Sequence, residues 1–139
     1  MMVTTTTTSS STRSCASSED LPGLGDRREF VKDPSCGAVA TCTGSTRGGG
    51  FRGENVTRLG YEGDPSVAER ELRTTCADAR KRFPEIRKIA AAHILADCPV
   101  GRASVVLACS GPHRKDSVRC IEYLIDEIKA RVPIRKRKC

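Results

Sequence analysis

Val118, Ile121, Ile125, Ile128 and Val132 recur at intervals of 3, 4, 3 and 4 residues near the end of the chain. That spacing returns to one side of a 3.6-residue helix, so these residues predict an amphipathic helix that must bury its stripe against another element. Pro112 suits its first turn, and Pro133 cannot continue it. The apolar run Ala103 to Cys109 predicts a buried strand as the partner surface. Ile86 to Leu95 reads as a second strand of the same kind. Upstream, Ala68, Leu72, Cys76, Ala79 and Phe83 also recur at helical spacing, over about 66 to 82. Ser66 and Glu69 form a capping-box signature at its start. Gly37 to Thr43 is a short β-leaning run, Gly44 to Gly53 a loop rich in Gly and Arg, and Val56 to Glu62 a further strand. The order is ββαββα. It predicts an α+β domain, an antiparallel or mixed sheet with two amphipathic helices packed on one face.

Composition divides the chain in two. Twelve of the first eighteen residues are Ser or Thr, too little apolar surface to offset the entropy of ordering them. Residues 1–28 are therefore expected to be a disordered Ser/Thr-rich tail, and 29–139 the folded domain. The tail contains no apolar run of the secretory type, so the expected compartment is the reducing cytosol. Arg13 and the scarcity of acids keep an organellar targeting segment open. No apolar stretch approaches the roughly 20 residues of a membrane span. The eight cysteines show no C-x-x-C pairing. Cys42, Cys76, Cys109 and Cys120 fall on apolar faces, where free Cys behaves as a small hydrophobe. No metal site is expected.

The formal charge of +7 favours an anionic partner, and one segment concentrates it. Lys129 to Lys138 holds six Lys or Arg and no acid. Lys129 lies in the last helical turn, where a cation is favourable in any case. Lys136, Arg137 and Lys138 lie past the proline. His113 and Arg114 open the same helix, where free N–H groups favour an anion. Arg47 stands in the Gly-rich loop. His93 lies within a strand pattern and reads as a core histidine. His113 and Lys129 are sixteen residues apart, ~24 Å along a helix, so both can touch one small ligand only if a twofold-related copy supplies one of them.

Several segments together resemble the large, catalytic subunit of the molybdopterin synthase family, in its eukaryotic form. They are Asp33-Pro-Ser-Cys-Gly-Ala-Val39, Gly44-Ser-Thr-Arg47, Leu59-Gly-Tyr-Glu62, Val67-Ala-Glu-Arg-Glu-Leu72, Ser110-Gly-Pro-His-Arg114 and Ile125 to Ile134 with Lys136. They occur in family order over about 31 to 138. The resemblance implies a fold of the α/β hammerhead type and a sulfurtransferase that converts cyclic pyranopterin monophosphate to molybdopterin. Sulfur would come from the C-terminal Gly-Gly thiocarboxylate of a small ubiquitin-like subunit, with no cofactor, in a heterotetramer built on a large-subunit homodimer. Carried over by motif, Lys129 and Lys136 would be catalytic. Arg47, His113, Arg114, Arg137 and Lys138 would join them in binding substrate.

The chain departs from the family pattern at two places that bear on the site. Arg135 stands where an aromatic residue usually precedes the second lysine. His93-Ile-Leu-Ala96 stands where the family usually continues His-Arg-x-Gly. A relative that keeps fold and dimer with weak or no turnover is therefore an alternative reading. A basic nucleic-acid-binding module is another, although no aromatic residue interleaves with the basic run to stack bases.

Overall fold

The computed structural model describes residues 2–7, 12–17, 31–48, 57–95 and 97–138. Eight strands are present among them: β1 (Met2–Thr7), β2 (Thr12–Ser17), β3 (Ala38–Ser45), β4 (Arg58–Glu62), β5 (Lys88–Ile94), β6 (Asp97–Pro99), β7 (Ala103–Gly111) and β8 (Arg135–Lys138). Two long helices, here α1 (Pro65–Arg82) and α2 (Arg114–Arg131), complete the α+β fold. β1, β2, β3, β5 and β7 form one sheet in the order β2-β1-β5-β7-β3, and a smaller sheet runs β6-β4-β8. Every pairing is antiparallel.

The apolar run that predicts a buried strand becomes β7, buried along nearly its whole length. It lies between β5 and β3, with Leu107 opposite both Ala91 and Cys42. Ile89, Ala91, Val105, Leu107 and Cys109 face the helices, which supply Ala68, Leu72, Cys76 and Ala79 from α1 and Cys120, Ile121, Leu124 and Ile128 from α2. Both helices thus cover one face, as the pattern predicts. On the opposite face Val31 packs on Ala90 and Ala108.

The start of α1 differs from the sequence expectation. Asp64, not Ser66, is the cap: its carboxylate accepts from the Ser66 N–H at 2.9 Å and the Val67 N–H at 3.4 Å. Pro65 suits the first helical position because its fixed φ and missing N–H cost nothing there. The capping residue is consequently the one before it. Glu69 pairs along the helix with Arg73 instead, at 3.4 Å.

α2 is rotated from its predicted stripe. Val118 is 59% exposed, while Ser117 and Cys120 are fully buried. The Ser117 hydroxyl donates to the Ala38 carbonyl at 3.2 Å, and the Cys109 thiol donates to the Ser117 carbonyl at 3.2 Å. These small polar residues let the helix approach β3 and β7 closely, and that approach sets its face. Arg131 then ties α2 to α1 through Asp78 at 2.7 Å.

Two further differences concern the ends of the chain. In place of disorder throughout residues 1–28, Met2–Thr7 pairs with both β5 and Thr12–Ser17. Thr is β-branched and suits a strand, and pairing on the edge of β5 satisfies backbone groups without requiring an apolar side chain at each position. Residues 8–11 and 18–30 lie outside the described residues, as do 49–56 of the Gly- and Arg-rich loop. The basic run after Pro133 is strand β8, hydrogen-bonded to β4.

Cys36, Cys42, Cys76, Cys98, Cys109 and Cys120 are free thiols. Burial pushes the Cys76 thiol up to about 12. A hydrogen bond with Cys120, followed by burial, raises Cys109 as well. Protonated thiols of this kind are core packing rather than nucleophiles. No described helix is long and apolar enough to cross a membrane.

Candidate functional site

The end of α2 closes one side of a cavity of about 340 Å³. Its apolar wall is Val105, Ile125, Ile128, Val132 and Ile134, and its polar groups are Tyr61, His93, Ser104 and Lys129. The i, i+3, i+4, i+7 positions of α2 supply Ile125, Ile128, Lys129 and Val132, one continuous face. Pro133 stops the helix there and turns Ile134 over the opening. β5 contributes its penultimate residue, His93, and β7 its second and third, Ser104 and Val105.

Lys129 is exposed and has no ion-pair partner among the described residues. The contrast with its neighbour is direct. Arg131 is compensated by Asp78 at 2.7 Å and Glu127 at 3.4 Å, and the Asp78 hydrogen bond raises its pKa further. The helix C-terminus stabilises Lys129, but no carboxylate neutralises it. An anion entering the cavity meets an uncompensated ammonium against a largely apolar wall.

The register of the small sheet places Lys136 opposite Tyr61, with Arg137 opposite Gly60 and Lys138 opposite Leu59. The backbone of Lys136 therefore adjoins the strand that lines the cavity. Arg47 is exposed two residues beyond β3. Gly44 pairs with Val105, and the Thr46 N–H donates to Arg102 O at 3.1 Å, so Arg47 leaves the sheet at the end that carries Ser104 and Val105. It does not itself line the cavity. His113 and Arg114 are exposed at the other end of α2. His113 is the N-cap residue but makes no side-chain capping bond. α2 is continuous, so Arg114 and Lys129 are ~22 Å apart. Within one chain the structure gathers Lys129 and the backbone of Lys136, brings Arg47 to the same end of the sheet, and leaves His113 and Arg114 remote.

Three lining residues were not legible as such. Ser104 carries no signal beyond membership of a strand, and Tyr61 stands in the segment Leu59-Gly-Tyr-Glu62, which carries the resemblance but no site role. His93, read as a core histidine, is half-buried and open to the cavity. Its Nδ1 lies 2.7 Å from the Ile94 carbonyl, which can only accept, so Nδ1 carries the proton. Burial lowers its pKa below the usual histidine value of 6.5. Its ring meets Tyr61 edge to face at 5.0 Å between centroids. No three His, Cys, Asp or Glu residues among those described form a group able to hold a metal.

Comparison with known proteins identifies the family. The model of the MoaE protein family matches residues 20–131. A molybdopterin synthase catalytic subunit from Taeniopygia guttata is 41% identical over 115 residues, spanning 83% of this chain and 74% of that relative. One from Rattus norvegicus is 42% identical over 115 residues, 83% of this chain and 56% of the relative. With the Drosophila willistoni catalytic subunit, identity is 41% over 109 residues, and the chain spans only 29% of that longer protein. Among solved structures, molybdopterin synthase from Staphylococcus aureus superposes with a TM-score of 0.80 at 30% identity, covering 85% of each chain. The Helicobacter pylori complex of molybdopterin-converting factor subunits 1 and 2 shares the fold, with a TM-score of 0.69 at 21% identity over 83% of this chain and 74% of that one. By the extent of the family match and the identity to these relatives, the chain belongs to the MoaE protein family.

Proposed function

We propose that this chain is the catalytic subunit of a molybdopterin synthase, transferring sulfur to cyclic pyranopterin monophosphate from the C-terminal thiocarboxylate of a small ubiquitin-like subunit. The observation that carries the reading is Lys129, an uncompensated ammonium lining an apolar cavity beside the strand that holds Lys136. The relatives are catalytic subunits of molybdopterin synthase, which supports both the reaction and a partner subunit. The cytosol is the proposed compartment.

Both reactants are anions, a phosphate ester and a thiocarboxylate, and they repel unless cations neutralise them. Lys129 and Lys136 are the proposed catalytic groups. They pair with the two anions and, as ammonium or amine, hold or accept protons while sulfur leaves the acyl carbon for a pterin carbon. The acyl carbon ends as a carboxylate, its oxygen drawn from water, and each new C–S bond replaces a C–O bond of the pterin side chain, whose oxygen stays on the phosphate or leaves as water; two transfers complete the dithiolene. Apolar walls exclude bulk water and strengthen each charge interaction. Arg47, Arg137 and Lys138 extend the basic surface for the substrate phosphate. His113 and Arg114 reach the same site from a second copy, in a homodimer that forms the core of a heterotetramer. The reaction needs no resident cofactor.

Reconstitution tests this assignment. The protein, a thiocarboxylated small subunit and cyclic pyranopterin monophosphate should give dithiolene product. Lys129→Ala and Lys136→Ala should each lower turnover at least about tenfold with an unchanged melting curve, because Lys129 is exposed. Unaltered turnover in both variants removes the assignment.

A further inference from the structure

We infer that His93 is a positioning residue of the Lys129 cavity, its neutral Nε2 accepting a hydrogen bond from the last backbone amide N–H of the sulfur-donating peptide end. The inference rests on the cavity being the seat of that peptide end, as proposed above, and adds what the sulfur atom's own contacts leave open: how the terminal residue is oriented.

The tautomer follows from one contact. Nδ1 is 2.7 Å from the Ile94 carbonyl oxygen, an acceptor with no proton to give, so Nδ1 is the donor. A neutral imidazole that donates through Nδ1 has an unprotonated Nε2, which can only accept. No other hydrogen bond to this ring exists among the described residues, and the ring stacks edge to face on Tyr61. Half-burial in β5 holds the ring in place and favours the uncharged form.

The other polar groups of the cavity have different capacities. Lys129 offers only donors. The Ser104 hydroxyl donates to the Gly44 carbonyl at 3.3 Å and, like the Tyr61 hydroxyl, can rotate to donate or accept, whereas Nε2 can only accept. Nε2 is thus a fixed acceptor beside a cation and apolar walls. A peptide terminus presents the complementary set: an anion at its end and the terminal residue's own amide N–H, within ~3.5 Å of it. With the thiocarboxylate on Lys129 and the amide on His93, the terminal residue is held at two points. Its acyl carbon then cannot rotate away from the pterin. A terminus of glycines suits a site bounded by Ile125, Ile128 and Val132, since the peptide brings backbone polarity without side-chain bulk.

The test compares two synthetic peptides corresponding to the small subunit's end. One terminates in Gly-Gly carboxylate. In the other, glycolic acid replaces the last glycine, turning the amide N–H into an ester oxygen. Binding is measured by calorimetry to the full chain and to His93→Asn, His93→Gln and Lys129→Met. Asn keeps a donor near Nδ1 and removes the Nε2 acceptor, whereas Gln restores an acceptor near Nε2. The wild type should prefer the amide about tenfold. His93→Asn should bind the amide about tenfold more weakly and lose the preference, and His93→Gln should recover part of it. An undiminished preference in His93→Asn, or none in the wild type, overturns the inference, and the wild-type comparison stands even if His93→Asn fails to fold. Lys129→Met separates the two claims. If it leaves amide-peptide binding unchanged, or if the wild type binds neither peptide, the cavity is not the peptide seat and both claims fall. If it weakens binding while His93→Asn keeps the preference, only the role of His93 falls.

Discussion

Mixing Arg114→Ala with Lys129→Ala, each expected to lose most of its turnover when assayed alone, should restore about a quarter of wild-type turnover. The geometry dictates both the rescue and its size. α2 runs unbroken from Arg114 to Arg131, so Arg114 and Lys129 of one chain are ~22 Å apart. The cavity of about 340 Å³ takes its helical lining only from Ile125, Ile128, Lys129 and Val132 at the end of α2, and Arg114 of the same chain does not line it. If both side chains serve one substrate, each site must combine Lys129 of one copy with Arg114 of its twofold mate. Random exchange between equal amounts of the two variants makes about half of the dimers mixed. Each mixed dimer has one site with both residues intact and one with neither, so about one site in four is complete. The assay is dithiolene formation with thiocarboxylated small subunit after co-refolding, and the mixed dimer can be isolated by two affinity tags. Isolated mixed dimers should reach about half of wild-type turnover per dimer. Turnover no higher than that of the separate variants would refute the shared site, and with it the reason for assigning His113 and Arg114 to the substrate.

Three further outcomes follow from particular contacts. Asp64→Ala should cost about 1 kcal/mol of stability in urea unfolding and Ser66→Ala much less; the reverse ranking would restore the Ser66 cap. Gly63→Ala places a Cβ 2.7 Å from the Pro133 carbonyl oxygen, so the start of β8 must shift; we expect a loss of about 1–3 kcal/mol with reduced turnover, and wild-type values in both would show that this crossing is not tight. His93 has a lowered pKa because of burial. Above the ordinary value of 6.5 it is neutral folded or unfolded and contributes no pH dependence. As pH falls below 6.5 the unfolded chain takes up a proton that the folded ring resists, so stability should decline until the lowered folded value is reached. His93→Phe should flatten that decline in unfolding curves between about pH 7.5 and 5.5, and an unchanged slope would assign the acid loss to other groups.

What the sequence made legible depended on whether a signal was local. Pro133 ends α2 by its own covalent geometry, so the placement of Lys129 in the last turn and Lys136 beyond it needed no tertiary information. The face of α2 did need it. Val118 fits the apolar period as well as Ile121 does, yet Ser117 is buried in its place because its hydroxyl meets the Ala38 carbonyl, a contact between residues 79 positions apart. The hairpin of β1 and β2 escaped composition for a related reason. Its strands pair with each other, and β1 with β5, through backbone hydrogen bonds, which apolar content does not measure. Tyr61 and His93 became site residues only because β8 returns along β4 and α2 stops short of the sheet's end. Pro133 ends α2 just after Ile125, Ile128, Lys129 and Val132 have lined the cavity with Val105 and His93, and β8 then sets Lys136 opposite Tyr61. The proline therefore does more than terminate a helix. By fixing where α2 stops, it leaves the cavity open, puts an uncompensated ammonium on its rim and returns the basic strand to its wall, which accounts for the close spacing of the two lysines in the sequence.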